Sequence, residues 1–90
     1  MSATLAVRHP VTDYVAWRAV YEELEPLRLQ HGCTAKTVSC SPDDGNDIFI
    51  THTFPSVEQA AAFADDPALK SGMERAGVAG PTRIEIFAGV

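Results

Sequence analysis

The sequence lacks the features that would place it in a membrane, on nucleic acid or outside the cell. No apolar run approaches the length of a transmembrane helix, and residues 1–8 lack the basic start and apolar stretch of a signal peptide. Lysine and arginine total only 7 against 12 acidic residues, and this net charge of −5 argues against nucleic acid and anionic membranes. We therefore expect a cytoplasmic protein without nucleic-acid or membrane partners.

Cysteine is also scarce, since only Cys33 and Cys40 are present. Both fall in what we interpret as one strand, where seven residues of extended chain separate them by roughly 23 Å, far beyond disulfide reach. They do not form a Cys-x-x-Cys motif, and no spacing supplies the three or four ligands of a zinc site. We expect two reduced thiols, no metal and no cofactor.

The chain is short, and its 90 residues predict a single domain over residues 1–90. An apolar fraction of 46% and a charged fraction of 21% are typical of a globular protein. A domain of this size buries only roughly 60% of its unfolded surface, which is close to the lower limit for an independent core. Because no disulfide or metal supplements that core, we expect a homodimer.

Hydrophobic periodicity predicts segments in the order β-α-β-β-α-β. The first helix begins near residue 14, is kinked or broken by Pro26 and ends at Gly32. The second begins at the capping box opened by Ser56, restarts at Asp66 and ends at Gly77. The predicted strands are Thr4–His9, Thr34–Ser41, Ile48–Phe54 and Thr82–Phe87.

This order predicts an α+β fold of the ferredoxin-like βαββαβ type, with a four-stranded antiparallel-type sheet and helices on one face. Right-handed crossovers are expected to put the first and third strands side by side and parallel in the middle. The other sheet face would be uncovered, with Phe49, Phe87 and Val38 projecting from it. A second copy would cover that face through a two-fold interface.

Five aromatic or imidazole side chains are candidates for a site. His9 and His52 would fall together at the ends of the two central strands, where they could act as general acid and base, or simply bond to backbone or water. Tyr14, Trp17 and Tyr21 recur on one side of the first helix. They predict either a wall that stacks on a planar ligand or ordinary core packing.

Three segments carry a family resemblance, residues His9–Trp17, Ser41–Asp47 and Leu69–Val78. Together with the strand order they resemble the dimeric α+β barrel proteins, a group that includes the antibiotic biosynthesis monooxygenases, and more narrowly small bacterial proteins labelled "cyclase". The resemblance implies a homodimer whose two sheets face each other, with a pocket in each subunit between helices and sheet. Cofactor-free monooxygenases of this superfamily place an asparagine, a tryptophan and an arginine or histidine around an aromatic substrate. Here the only asparagine is Asn46, which we expect in a turn.

Two kinds of function follow. The first is a cofactor-independent monooxygenase- or cyclase-like enzyme that acts on a hydrophobic aromatic or polyketide-like small molecule. In it His9 and His52 would be catalytic, while Tyr14, Trp17 and Tyr21 would bind the substrate. The second is a non-catalytic dimer that binds a ligand or serves as an interaction module. Haem handling is a third possibility, based on fold analogy alone.

Overall fold

A computed structural model describes all residues, Met1–Val90, and confirms the predicted βαββαβ order with each helix in two pieces. No helix in it is long and apolar enough to cross a membrane. The elements are β1 (Ala3–Pro10), α1 (Tyr14–Glu23), α2 (Glu25–Gln30), β2 (Ala35–Ser41), β3 (Asp44–Phe54), α3 (Val57–Asp65), α4 (Pro67–Arg75) and β4 (Arg83–Ala88).

The sheet has the order β2-β3-β1-β4, and every neighbouring pair is antiparallel. The predicted parallel pairing of β1 with β3 is therefore wrong. The crossover through α1 and α2 makes β2 parallel to β1 but leaves room for one strand between them. The β2–β3 hairpin places β3 in that position, antiparallel to both neighbours. As a consequence His9 lies opposite Ile48, whereas His52 lies opposite Leu5. The two histidines are thus offset by four residues, roughly 13 Å, along the sheet.

Alternation along the strands separates a buried sheet face from an open one. The prediction that Val38 projects from the open face is wrong, because Val38 pairs with Ile50 and packs against the core. Phe49 and Phe87 do project from the open face, and they remain 42% and 56% exposed. The helices cover the other face, where the buried residues of the central strands are Ala3, Leu5, Val7, His9, Ile48, Ile50, His52 and Phe54.

Local signals in the sequence explain where the helices begin and end. The side chains of Asp13, Ser56 and Asp66 each accept a hydrogen bond from a backbone N–H in the first turn of α1, α3 and α4. Gly32 and Gly77 end α2 and α4 with φ values of +87° and +81°, as glycine at this position commonly does. These ends agree with the predictions from Ser56, Asp66 and the two glycines.

Pro26 breaks the first helix, as predicted, and the break occurs at Leu24. Leu24 closes α1 and opens α2 with φ −84° and ψ 2°. Its side chain packs on Gly72 of α4 so closely that a Cβ added there would lie 2.8 Å from Leu24 Cδ1. The break therefore changes the direction of the helix above the sheet, and Leu24, at the break, packs against α4.

The two cysteines are free, as predicted. Cys33 lies in the connection before β2, not inside the strand, while Cys40 lies within β2. The hairpin after Cys40 is tighter than the turn chemistry indicated, because only residues 42 and 43 separate β2 from β3.

Candidate functional site

An apolar cavity of about 50 Å³ lies between the helices and the sheet. Its walls come from all four helical pieces and from β1, β3 and β4. Since a water needs about 10–15 Å³ of such a cavity, this one has room for only a few water molecules. Most of the lining is aliphatic or aromatic, and the side chains with polar atoms are His9, Trp17, Tyr21, Arg28 and His52.

An aromatic ladder on α1 forms one wall of this cavity. Trp17 stacks on Tyr21 with ring centroids 5.0 Å apart, and Tyr14 stacks behind Trp17 at 5.9 Å. His9 meets Trp17 edge-on at 6.0 Å, and His52 stacks on Tyr21 at 6.1 Å. The structure thus brings His9, His52, Trp17 and Tyr21 to one cavity, while Tyr14 is half-buried outside its wall.

Five buried polar atoms of this cluster have no hydrogen-bond partner in the protein. They are both ring nitrogens of His9, both ring nitrogens of His52 and the Tyr21 hydroxyl. The three residues are 2%, 5% and 5% exposed. A buried polar group without a partner costs about 1–3 kcal/mol, so five such atoms around one cavity indicate that it holds water or a ligand. Neither histidine bonds to the backbone, so of the alternative to a catalytic role only a bond to water remains.

Burial sets the protonation states in the cavity. It lowers the pKa of His9, and it lowers the pKa of His52 to about 4, with the positive charges of Arg28 and Lys36 acting in the same direction. Burial also raises the pKa of the Tyr21 hydroxyl, against the opposing charge of Arg28. Near neutral pH both imidazoles are therefore uncharged, and each offers one N–H donor and one acceptor nitrogen.

Arg28 also belongs to the cavity wall, and it was not among the residues predicted for the site. Its guanidinium lies 4.0 Å from the Tyr21 ring centroid, and Nη2 donates to the Tyr21 carbonyl at 2.8 Å and to Glu25 at 2.8 Å. Only 1% of the residue is exposed. The signal was its position, because Tyr21, Leu24 and Arg28 follow the helical spacing of an apolar stripe. An arginine on such a stripe is buried against a core or a site.

Asn46 has a structural role outside the cavity. It lies in β3, not in the turn where we expected it, and its Oδ1 accepts a hydrogen bond from the backbone N–H of Tyr14 at 2.9 Å. Its carbonyl accepts from Val11 at 2.8 Å. Asn46 therefore attaches the start of α1 to the sheet. The cavity consequently has a tryptophan, an arginine and two histidines but no asparagine.

The open sheet face carries a second, charged depression. Two ion pairs line it, Arg8 with Asp47 at 2.7 Å and Arg83 with Glu85 at 2.9 Å. These charges neutralise each other, and no group of three metal-ligating side chains occurs here or elsewhere in the structure. The aromatic cavity on the helix side is therefore the stronger candidate for chemistry.

Comparison with known proteins shows likeness in structure and none in sequence. No protein-family model matches the chain, and no curated protein matches it significantly. SnoaB, a cofactor-independent oxygenase from Streptomyces nogalater, superposes with a TM-score of 0.80 at 12% identity, over 99% of this chain and 93% of that one.

Two further structures are proposed antibiotic biosynthesis monooxygenases. The protein from Bordetella bronchiseptica has a TM-score of 0.81 at 13% identity, over 99% of this chain and 97% of that one. The protein from Chloroflexus aurantiacus has a TM-score of 0.69 at 21% identity, over 100% and 96%. These likenesses confirm the fold predicted from the sequence, the ferredoxin-like α+β fold of the antibiotic biosynthesis monooxygenases.

Proposed function

We propose that this protein is a cofactor-independent, monooxygenase-like enzyme that acts on a hydrophobic aromatic or polyketide-like small molecule. The observation that carries the proposal is the set of five unpartnered polar atoms, on His9, His52 and Tyr21, around an otherwise apolar cavity. The fold is also that of SnoaB, which is a cofactor-independent oxygenase. An apolar cavity with a few convergent polar groups is the usual form of a small-molecule site.

The neutral histidines would supply the proton transfer. An uncharged imidazole takes a proton from a carbon acidified by an adjacent aromatic ring, a step that contributes about 10²–10⁴-fold in enzymes. The resulting carbanion is electron-rich enough to reduce O2 directly. For a ring methylene the balanced reaction converts CH2 and O2 into C=O and H2O. A cyclase-like reaction would use the same proton transfer without consuming O2.

The aromatic ladder would orient the substrate. Trp17 and Tyr21 present ring faces and edges on which a planar ligand can stack. Tyr14 would support Trp17 from behind. Since drug-sized ligands fill pockets of about 300–1,000 Å³, substrate entry requires the flexible side chains of Leu69 and Met73 to move outward from their places in the wall.

The functional unit in this proposal is a homodimer of a single domain, residues 1–90, that works in the cytoplasm. One buried cluster forms the core, which supports a single domain. The exposed Phe49 and Phe87 on the open sheet face support burial against a second copy. The free thiols Cys33 and Cys40 accord with a reducing compartment.

The test is oxygen consumption with anthrone, whose methylene is acidified by two aromatic rings and a ketone. We expect the protein to accelerate O2 uptake and anthraquinone formation, and the His9→Ala, His52→Ala double variant to lose this acceleration while remaining folded. Anthrone conversion without O2 uptake would indicate cyclase-like or isomerase chemistry. Binding that quenches Trp17 fluorescence with no conversion would leave a passive ligand-binding protein and overturn the enzyme proposal.

A further inference from the structure

A single carboxylate serves two cations beside the cavity. Arg28 donates from Nε and Nη2 to one oxygen of Glu25, at 3.1 Å and 2.8 Å, and Lys36 pairs with the same oxygen. Hydrogen bonds from Lys36 and Arg28 lower the pKa of Glu25 to about 2, so it is ionised. The three charges leave a surplus of one positive charge. The Arg28 side chain is 2% exposed, whereas those of Glu25 and Lys36 are 36% and 35% exposed.

One of the two cations of this cluster faces the cavity. Arg28 lines the cavity, while Glu25 and Lys36 do not. Arg18 also approaches the Tyr21 ring, at 5.1 Å from its centroid, but Glu22 pairs with Arg18 at 2.8 Å and neutralises it. The remaining titratable groups at the cavity, the two histidines and Tyr21, carry no charge near neutral pH. Since Glu25 is shared between Arg28 and Lys36, the cluster beside the cavity keeps a net charge of +1, and Arg28 is its member in the cavity wall.

Donors also outnumber acceptors in this cavity. The Nη1 group of Arg28 makes no hydrogen bond, and arginine can only donate. The unpartnered Tyr21 hydroxyl and one N–H of each histidine add further donors. The acceptors available in return are one nitrogen on each histidine and the hydroxyl oxygen. A ligand that satisfies the site must therefore bring an oxygen acceptor.

We infer that the cavity selects a small acidic ligand as its anion, a single-ring phenolate or an enolate whose oxygen pairs with Arg28 and Tyr21. This inference rests on the proposed ligand-binding role of the cavity and specifies the ligand class. A delocalised organic anion suits walls that are mostly aliphatic and aromatic. A phosphate does not, since the apolar walls would leave most of its oxygens without donors. A cavity that binds benzene has about 150 Å³, so even the smallest members of the class need the same outward movement of Leu69 and Met73 from the wall of this cavity of about 50 Å³.

The test uses 4-nitrophenol, which titrates near neutral pH and absorbs visible light only as the phenolate. At a pH below the pKa of the free phenol, adding the protein should increase the phenolate absorbance. We expect the pKa of the bound phenol to fall by about one unit, which is a tenfold preference for the anion. The matched control ligand is 4-nitroanisole, the methyl ether that cannot ionise, and it should bind at least about tenfold more weakly.

Two variants change the charge in opposite directions. Arg28→Met keeps the length of the side chain without its charge, and it should abolish the absorbance increase. Glu25→Gln removes the balancing carboxylate and keeps an acceptor for Arg28, so it should increase the phenolate fraction beyond that of the unmodified protein. Circular dichroism establishes that each variant is folded. If Arg28→Met does not fold, Glu25→Gln alone tests the inference, because only anion selection by this cluster predicts a larger phenolate fraction in that variant.

The inference is overturned if 4-nitroanisole binds as well as 4-nitrophenol, if neither binds, or if Glu25→Gln leaves the phenolate fraction unchanged. Failure of the proposed oxygenase reaction would look different. In that case anthrone would be left unconverted, while 4-nitrophenol would still bind as its anion in a manner that depends on Arg28.

Discussion

His52 lies parallel to Tyr21, with ring centroids 6.1 Å apart and ring planes inclined by only 16°, and neither its imidazole nor the Tyr21 hydroxyl has a hydrogen-bond partner. The phenyl ring of Phe63 meets the same imidazole edge-on at 5.3 Å. An apolar side chain at either position would pack as well and would stabilise the fold more, because the buried polar atoms of both rings have no partners and only add a desolvation cost. Their presence in the core is the observation from which the proposed function is argued.

The first prediction compares a histidine that has no partner with one that does. Replacing His52 with Leu removes buried polar atoms that lack partners, so we expect the melting temperature to stay the same or to rise. His31 instead bonds to Asp66 at 2.8 Å and joins the end of α2 to the start of α4. Replacing His31 with Leu should therefore lower the melting temperature. Thermal unfolding followed by circular dichroism measures both, and a lower melting temperature for the His52 variant would contradict the structural cost assigned to this residue.

The second prediction concerns stability against pH. The pKa of His52 is about 4 in the folded protein and 6.5 in the reference state, so the unfolded chain binds the extra proton between these values. Stability is then complete above pH 6.5 and falls as the pH drops toward 4, by roughly 3 kcal/mol in total. His9 acts in the same direction.

The window from pH 6.5 to about 5.5 separates the two histidines from Glu25, because the lowered pKa of Glu25 begins to matter about one pH unit above its reference value of 4.5. Urea unfolding at several pH values measures the slope. The His52→Leu variant is the control, and it should lose most of the dependence on pH. Equal slopes for the two proteins would show that His52 is not the group that titrates.

The sequence predicted the elements well and their arrangement only in part. The helix ends at Ser56, Asp66 and Gly77 follow from local chemistry, since a cap or a glycine acts on its own turn. The antiparallel pairing of β1 with β3 arises because β3 inserts between β2 and β1. That position depends on the packing of the whole chain and not on the pattern of any one strand. The resulting offset of His9 from His52 could not be obtained from the strand patterns alone.

The sequence predicts which residues line the cavity where it predicts which side of the helix they lie on. Trp17 and Tyr21 lie on the inner side of α1 and line the cavity. Tyr14 lies one turn nearer the N-terminus, stacks on Trp17 and does not line the cavity. Arg28 was overlooked because charge normally indicates an exposed position. Its burial depends on the chain break at Leu24, which turns α2 toward the core, and on Glu25 as a partner.

The third prediction concerns the open sheet face. Phe49 and Phe87 lie there with 42% and 56% of their surface exposed. If a second copy covers this face, replacing either phenylalanine with Glu should convert a dimer into a monomer, because a carboxylate would be buried without a partner. Light scattering coupled to gel filtration measures the mass, with Val57→Glu as a control on an exposed helix residue. A monomeric mass for the unmodified protein at micromolar concentration would overturn the homodimer.

The last prediction tests the contact between Leu24 and Gly72 that closes the cavity. Gly72→Ala would place a methyl group 2.8 Å from Leu24 Cδ1, so the Leu24 side chain must shift and we expect the fold to lose stability. In a Leu24→Ala background the clash is absent and the same change should instead stabilise α4, since alanine is favoured over glycine in a helix by about 1 kcal/mol. The reversal of sign is the diagnostic result.

Leu24→Ala alone should also enlarge the cavity and admit larger ligands, because Leu24 is part of its wall. We expect it to lower the free energy of unfolding by less than the roughly 2–5 kcal/mol typical of fully buried leucines, because Leu24 is half-buried, and to strengthen binding of anthrone relative to 4-nitrophenol. Denaturant unfolding of the two single variants and the double variant measures the coupling, and fluorescence titration measures the ligand preference. Additive changes in the free energy of unfolding would show that Leu24 and Gly72 do not touch in solution. An unchanged ligand preference would show that Leu69 and Met73, and not Leu24, limit the size of the ligand.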